Sequence, residues 1–376
     1  MRIPVSLFIA MGFVSACTVA TPLPSTPGIT ATVVTTLTEI SSLPTSTPVA
    51  MPTLASAVTP SSTATVDLQP FGTVKIDTAE IEFDVNGDGR NTDSISFWEA
   101  PDATQSLMFV TSKGNSSIEV YQYPFQTQLR TIACGDASNG VWVDQGRDIL
   151  YITGRNSRNV CAYDLPGLEE NAALSFTTSA TGDDSEPNLT MLSLLDGQRR
   201  IYVSYDDHVY YHDAETGGSL GDFATSEGLE TMYGDDFYQV IYIPDEGDRS
   251  GVYQYDPHGN LVSATFGDRS IFDSDAEGIW VYKCLSAGDN DSGEGLIIVA
   301  DQKDEITDFE VFNRRTKEHL GKINISGVNN TDGISITQQA SPAYPFGLLA
   351  VIDDDTSTVG LGWDTLLEKT ELSCGG

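Results

Sequence analysis

Six phrases decide the fold: SIEVYQYPFQTQL (117–129), NVCAYDLPGL (159–168), HVYYHDAETGGSL (208–220), GVYQYDPHGNLV (251–262), DFEVFNRRTKEHL (308–320) and, more weakly, VGLGW (359–363). In the first five, a strand-like run ends in an aromatic, a polar turn follows, and a Leu-bearing strand resumes. With Tyr121, Tyr163, Tyr211, Tyr255, Phe312 and Trp363 as markers, the phrases recur every 42 to 57 residues. Such an interval, filled with short strands and polar turns, is a propeller signature. The expected architecture is therefore all-β, a six-bladed β-propeller. A large sandwich, the rival all-β solution, has no reason to repeat at this spacing.

Ahead of the repeat the composition changes twice. Arg2 precedes an apolar stretch from Ile3 to Val14 that is too short to span a bilayer as a stable helix. Val14-Ser15-Ala16-Cys17 then looks like a bacterial lipobox, so residues 1–16 are expected to be a lipoprotein signal peptide and Cys17 the lipidated residue. Acyl chains there would anchor the protein to a membrane outside the cytoplasm. Residues 17–66 are almost entirely Thr, Ser, Pro, Ala and Val, with Glu39 the single charge. A tract of that kind cannot offset its ordering entropy and is expected to be a disordered tether. The propeller domain is then 67–376, and nothing in it asks for a partner subunit, so a monomer is expected.

The formal net charge is −35, from 54 acidic and 19 basic residues. A nucleic-acid partner is excluded on that balance, because phosphate backbones need clustered Lys and Arg. Such an excess of carboxylate repels itself unless cations neutralise part of it, and calcium is the hard, oxygen-seeking ion available outside the cell. Plain solubility would produce the same composition. Beyond Cys17, four cysteines remain, an even number suited to an oxidising compartment. Cys134–Cys161 with Cys284–Cys374 is the expected pairing of the three that are possible.

Several motifs carry chemistry on paper. Asp84, Asn86 and Asp88 stand at positions 1, 3 and 5 of a calcium-type loop with Gly89 at position 6. Ile95 replaces the closing Glu of an EF-hand, which leaves either a single loop site or a metal-free turn. GGSLG (217–221) matches a nucleophile elbow, but it sits in the turn of a repeat and reads as a hairpin. The four histidines make no metal-ligand spacing. Acids also stand in tight or apolar phrases near Gly: Glu230 and Asp235, Glu277, Asp332, and Asp353. Acids beside Gly at strand starts tend to gather at one mouth of a propeller, where they could hold calcium.

At these phrases the chain resembles the β-propeller phytases, from about residue 80 to 366. DAEGIWVY (275–282) resembles the family's "EGL" segment, VNNTDGISI with YPFGLLAVIDDD (328–336 and 344–355) its "TDGID…PxGLFVAQD" stretch, and GLETMYGDDFYQVIYIPDEG (228–247) its "TEGMAADDEYGxLYIAEE". The resemblance implies a calcium-rich mouth held by Glu82, Asp93, Glu230, Glu246, Glu277, Asp332 and Asp353. Lys113 in VTSKGNSSIEVY and Arg155 in ITGRNSRNVCAY match the family's phosphate contacts, and Asn139 matches its "NNVDV" segment. Departures fall at the same mouth. Ser94 and Ile95 replace an Asp and a Pro, Tyr205, Asp206 and Asp207 replace a lysine-bearing segment, and Ile352 replaces a Gln.

What the resemblance implies is calcium-dependent phosphomonoester hydrolysis of phytate or a similar ester. Glu230 would orient or deprotonate the attacking water, with Lys113 and Arg155 fixing the substrate. The departures leave a second expectation, a phytase-like propeller that keeps calcium but has lost turnover and serves as an extracellular binding module.

Overall fold

Each marker aromatic from Tyr121 to Phe312 falls in the third strand of an antiparallel sheet, and Trp363 follows the third strand of the last. The computed structural model describes residues 68–86, 91–135, 137–180, 186–225, 229, 231–246, 251–286, 290–372 and 374. The signal peptide, Cys17, the tether, Asp88 and Glu230 lie outside the described residues. Within them the chain is a six-bladed β-propeller, as the repeat predicts.

Blade 1 is Thr92–Trp98, Leu107–Ser112, Ser117–Gln122 and Thr127–Ile132. Blade 2 begins with Ser138–Asp144, Ile149–Gly154 and Asn159–Asp164, and two short strands share its outer edge. Blade 3 runs from Leu189–Ser193 through Arg199–Tyr205 and His208–Asp213 to Ser219–Ala224. Blade 4 runs from Tyr233–Asp235 through Val240–Asp245 and Gly251–Tyr255 to Leu261–Phe266. Blade 5 has Asp275–Ser286, Asn290–Gln302, Asp308–Asn313 and His319–Ile325, and blade 6 has Ile334–Thr337, Leu348–Asp353 and Ser357–Gly362.

Two features escaped the sequence reading. Gly72–Ile76 adds a fifth, parallel strand to the outer edge of blade 5. Phe83–Asn86 then completes blade 6 by pairing antiparallel with Ser357–Gly362, so that a strand from before blade 1 closes the last sheet. Closure of this kind leaves fewer unpaired edges for other strands to join.

The meander sorts the loops. At one face, called the entry face here, every first strand begins and every second-to-third hairpin turns; at the exit face the first strands end. Buried side chains between neighbouring sheets make the core, for example Tyr242, Phe266, Phe272 and Phe312 between blades 4 and 5. GGSLG lies in the third-to-fourth hairpin of blade 3, which agrees with the turn reading.

Both expected disulfides are present, Cys134–Cys161 and Cys284–Cys374. Paired cysteines of this kind belong to extracytoplasmic proteins. No helix among the described residues is long and apolar enough to cross a membrane. The single α-helix described, Trp363–Thr370, buries Trp363 and Leu366, and the Trp363 ring stacks on Tyr282 at 4.1 Å. Cys284–Cys374 fastens the tail behind it across a separation of 90 residues. Replacing both cysteines with Ser is expected to cost about 2–4 kcal/mol, mainly by freeing the unfolded chain. A urea midpoint unchanged from the parent protein would show that the tail adds nothing to stability.

Candidate functional site

The acids beside Gly converge for a steric reason. First strands of adjacent blades approach backbone to backbone at the entry face, and only Gly admits that approach. A Cβ at Gly333 would stand 1.9 Å from the carbonyl oxygen of Asp93, and one at Gly278 would stand 2.6 Å from that of Asp332. Each glycine therefore seats its blade against the next. The residues just before them, Glu277 and Asp332, are carried to the channel mouth with Asp93.

Around that mouth the polar groups interlock. Asp93 is almost fully buried and accepts from Ser94 Oγ and Asn139 Nδ2 at 3.0 Å each. Lys113 Nζ lies 3.1 Å from Asp93 Oδ1 and 3.1 Å from Glu186 Oε2, and Arg155 reaches the other Glu186 oxygen at 3.5 Å. Asn188 Nδ2 donates to Ser94 Oγ at 3.1 Å. On the other side, Gln302 Nε2 donates to Glu277 Oε2 at 3.0 Å and to Asp332 Oδ1 at 2.6 Å.

One contact in the ring joins like charges. The Asp332 and Asp355 carboxyls act on each other; Asn91 Nδ2 donates to Asp355 Oδ2 at 3.5 Å, and among the described residues nothing donates to Asp355 Oδ1. Burial, with Asp93 and Asp355 alongside, pushes the Asp332 carboxyl up to about 8. Two carboxylates so placed need a shared proton or a cation. Three further buried oxygens near this group also lack partners among the described residues: Thr92 Oγ1, Asn139 Oδ1 and Thr331 Oγ1. Carboxylate and neutral oxygens are the donor types a calcium ion takes, but among the described residues the carboxylates of this mouth do not close to within 4.8 Å of one another as a trio.

The structure brings together five residues singled out in the sequence: Asp93, Lys113, Arg155, Glu277 and Asp332. Glu246 follows the second strand of blade 4 at the same face. Asp353 stands apart from this group. It accepts from the Asn329 N–H at 3.0 Å, and burial, with Asp84 and Asp354 nearby, raises its carboxyl above the usual range. Asp84 of the loop candidate, on the closing strand of blade 6, is thus its neighbour.

Two placements differ from the expectation. Glu82 lies beside Gly362 and Tyr344, at the opposite end of the closing strand from Asn86, because that strand runs towards the entry face only after Glu82. Asp235 ends the first strand of blade 4 instead of starting it, so it faces the exit side, where it pairs with Arg314. Lys113 and Arg155 stand at the mouth but are engaged by Glu186, a carboxylate that sequence reasoning missed.

Asp355 and Gln302 were missed as well. The third acid of IDDD was the available signal for Asp355. Left-handed backbone at both Asp354 and Asp355 turns the hairpin, and the Asp355 carbonyl accepts the Thr92 N–H at 2.8 Å. Among the described residues, a separate trio of carboxylates converges to within 4.8 Å: Asp273, Asp301 and Asp308 in blade 5. Lys303 Nζ already sits 3.1, 2.7 and 2.7 Å from them, so an ammonium takes the place of an ion.

The fold and site together define a six-bladed propeller with an acid-lined entry mouth. No protein-family model matches the chain, and no curated protein is similar to it. Among solved structures it is similar to the hydrazine synthase of Kuenenia stuttgartiensis, at 12% identity over 84% of this chain and 83% of that one, with a TM-score of 0.46. A likeness that distant carries no argument about chemistry.

Proposed function

We propose that the chain is a calcium-dependent phosphomonoester hydrolase of the phytase-like kind. It acts on phytate or a related phosphorylated ester outside the cytoplasm, and a lipid at Cys17 anchors it to a membrane. The observation that supports this most is the crowding of the Asp332 and Asp355 carboxyls beside Asp93, at the same mouth as Lys113 and Arg155. Asp93, Asp332 and Asp355 would hold calcium, with Glu277 tied to the same group through Gln302. Calcium bound there would neutralise phosphate charge and acidify a coordinated water.

The protein's own groups do the rest. Gln302 fixes two carboxylates at once, and Asn139 fixes Asp93. An incoming phosphate must draw Lys113 and Arg155 away from Glu186, which makes that carboxylate a competitor for the substrate. Glu230 is assigned the proton-accepting role on the phytase resemblance.

The test is phosphate release from calcium phytate by the full chain. Release that EDTA abolishes, that calcium restores and that Glu230→Gln removes is the expected result. No release above the Glu230→Gln background sinks the hydrolase reading. The bridge from Glu186 to both Lys113 and Arg155 favours the second reading, a binding module without turnover. In that case calcium raises the melting temperature while phytate stays intact.

A further inference from the structure

We infer that the exit end of the central channel is a binding site for a single uncharged carbohydrate ring. A cavity of about 320 Å³ opens there, within the size range of ligand pockets. Its floor is aromatic. Trp142 packs on Trp280 with ring centroids 5.3 Å apart, and Tyr233 meets them edge-on at 5.5 and 5.2 Å. On the entry side of these rings only about 30 Å³ remains, between Ser94, Asn188, Gly278 and Gly333. That space holds a water or two, so nothing larger passes between the two ends.

The rim takes polar residues from every blade, among them Glu99, Gln145, Asp236, Lys283 and Gln338, with Asp144 and Arg199 paired to each other at 2.7 Å. Much of it is held rigidly. Glu99 Oε1 accepts from Thr337 Oγ1 and from the N–H groups of Gln338 and Gln339, at 2.7, 2.9 and 3.2 Å. Gln338 clamps the Lys283 backbone at both its N–H and its carbonyl, at 2.8 and 2.7 Å. Asp236 Oδ1 accepts the Ser193 N–H at 2.7 Å. Two groups keep hydrogen-bonding capacity: among the described residues no hydrogen bond reaches Glu99 Oε2 or Lys283 Nζ, the latter standing in the field of Asp236 and Asp291.

Charge selects the ligand class. An anion entering the cavity meets Glu99, Asp144 and Asp236, and a cation meets Arg199 and Lys283, so either pays a repulsion. A neutral ring bearing hydroxyls meets neither. Its hydroxyls accept from the Lys283 ammonium and donate to Glu99 Oε2, and its C–H face rests on the indoles, whose bodies are apolar. The site is independent of calcium and of the entry mouth, since no acid of that mouth lines it.

Glucose, galactose, mannose and N-acetylglucosamine are the probes, presented to the full chain in EDTA. Tryptophan fluorescence and saturation-transfer NMR are the readouts, with glucuronate and inositol hexakisphosphate as charged comparisons. Saturable binding of at least one neutral ring is expected, weakened about 10-fold by Lys283→Met and by Glu99→Gln, which corresponds to one hydrogen bond to a charged group. Circular dichroism melts confirm folding, and if one variant is unfolded the other decides. The inference is overturned if no neutral ring gives a saturable signal, if a charged comparison binds more tightly, if binding needs calcium, or if a folded variant binds as the parent does.

Discussion

Arg314→Met should destabilise the propeller by about 3–5 kcal/mol, the cost of leaving a buried charge without its partner. Arg314 is fully buried. Its guanidinium forks onto Asp235 through Nε and Nη2 at 2.8 and 2.6 Å, and onto Asp291 through Nη1 and Nη2 at 2.6 and 2.8 Å. The Phe237 and Tyr238 rings lie 5.8 and 5.6 Å from its central carbon. Asp235 is itself fully buried, and its remaining capacity goes to the N–H groups of Phe237 and Tyr238 and to the Tyr242 hydroxyl. None of these replaces a positive charge. Methionine would fill the space and strand two carboxylates.

The double variant Asp235→Asn/Arg314→Met should lose clearly less than the two single losses added together, because the stranded charge is then gone. Urea unfolding measures all three proteins. A single-variant loss below about 1 kcal/mol would show that solvent reaches Asp235 and that the pair does not bind blade 4 to blade 5.

Asp332→Asn should have opposite effects in the two calcium states. Without calcium the asparagine amide can donate to Asp355, so the like-charge contact disappears and the melting temperature holds or rises. With calcium an anionic ligand is missing, and affinity should fall by about 100-fold, which removes most of the ligand-induced rise in melting temperature. Gln302→Leu, which removes the amide that donates to Glu277 and Asp332, should weaken calcium by about 10- to 100-fold. Calcium titrations followed by thermal melts read both variants. Equal calcium responses in parent and Asp332→Asn would remove the ion from this mouth.

The scaffold was legible because its repeat is written in local chemistry. Tyr121, Tyr163, Tyr211, Tyr255 and Phe312 each close the same strand of successive blades, a regularity a short window of sequence can show. The Glu-Gly and Asp-Gly pairs were legible for a related reason, since one backbone approach demands the glycine. Partners across the ring were not. Glu186 follows a stretch with no strand pattern, yet it lies against Lys113 and Arg155 from other blades. Asp235 and Arg314 are 79 residues apart, and nothing near either one announces a buried ion pair. The placement of Glu82 turned on direction: acidity was readable, but the end of the strand on which it lies was not. Gly72–Ile76 is short and mostly exposed, so its amphipathic signal is weak.

The pairing of Gly72–Ile76 with blade 5 has a mechanical side. A pull applied at Leu68 arrives first at this parallel ladder, whose five residue pairs run from Gly72 with Gly321 to Ile76 with Ile325. Loaded along the strand, those hydrogen bonds share the force instead of opening one at a time. Phe83–Asn86, which closes the ring, lies behind them and feels the load only after they slip. The outer strand of blade 5 thus works as a strain relief, stopping a pull applied at Leu68 at the rim of the rotor.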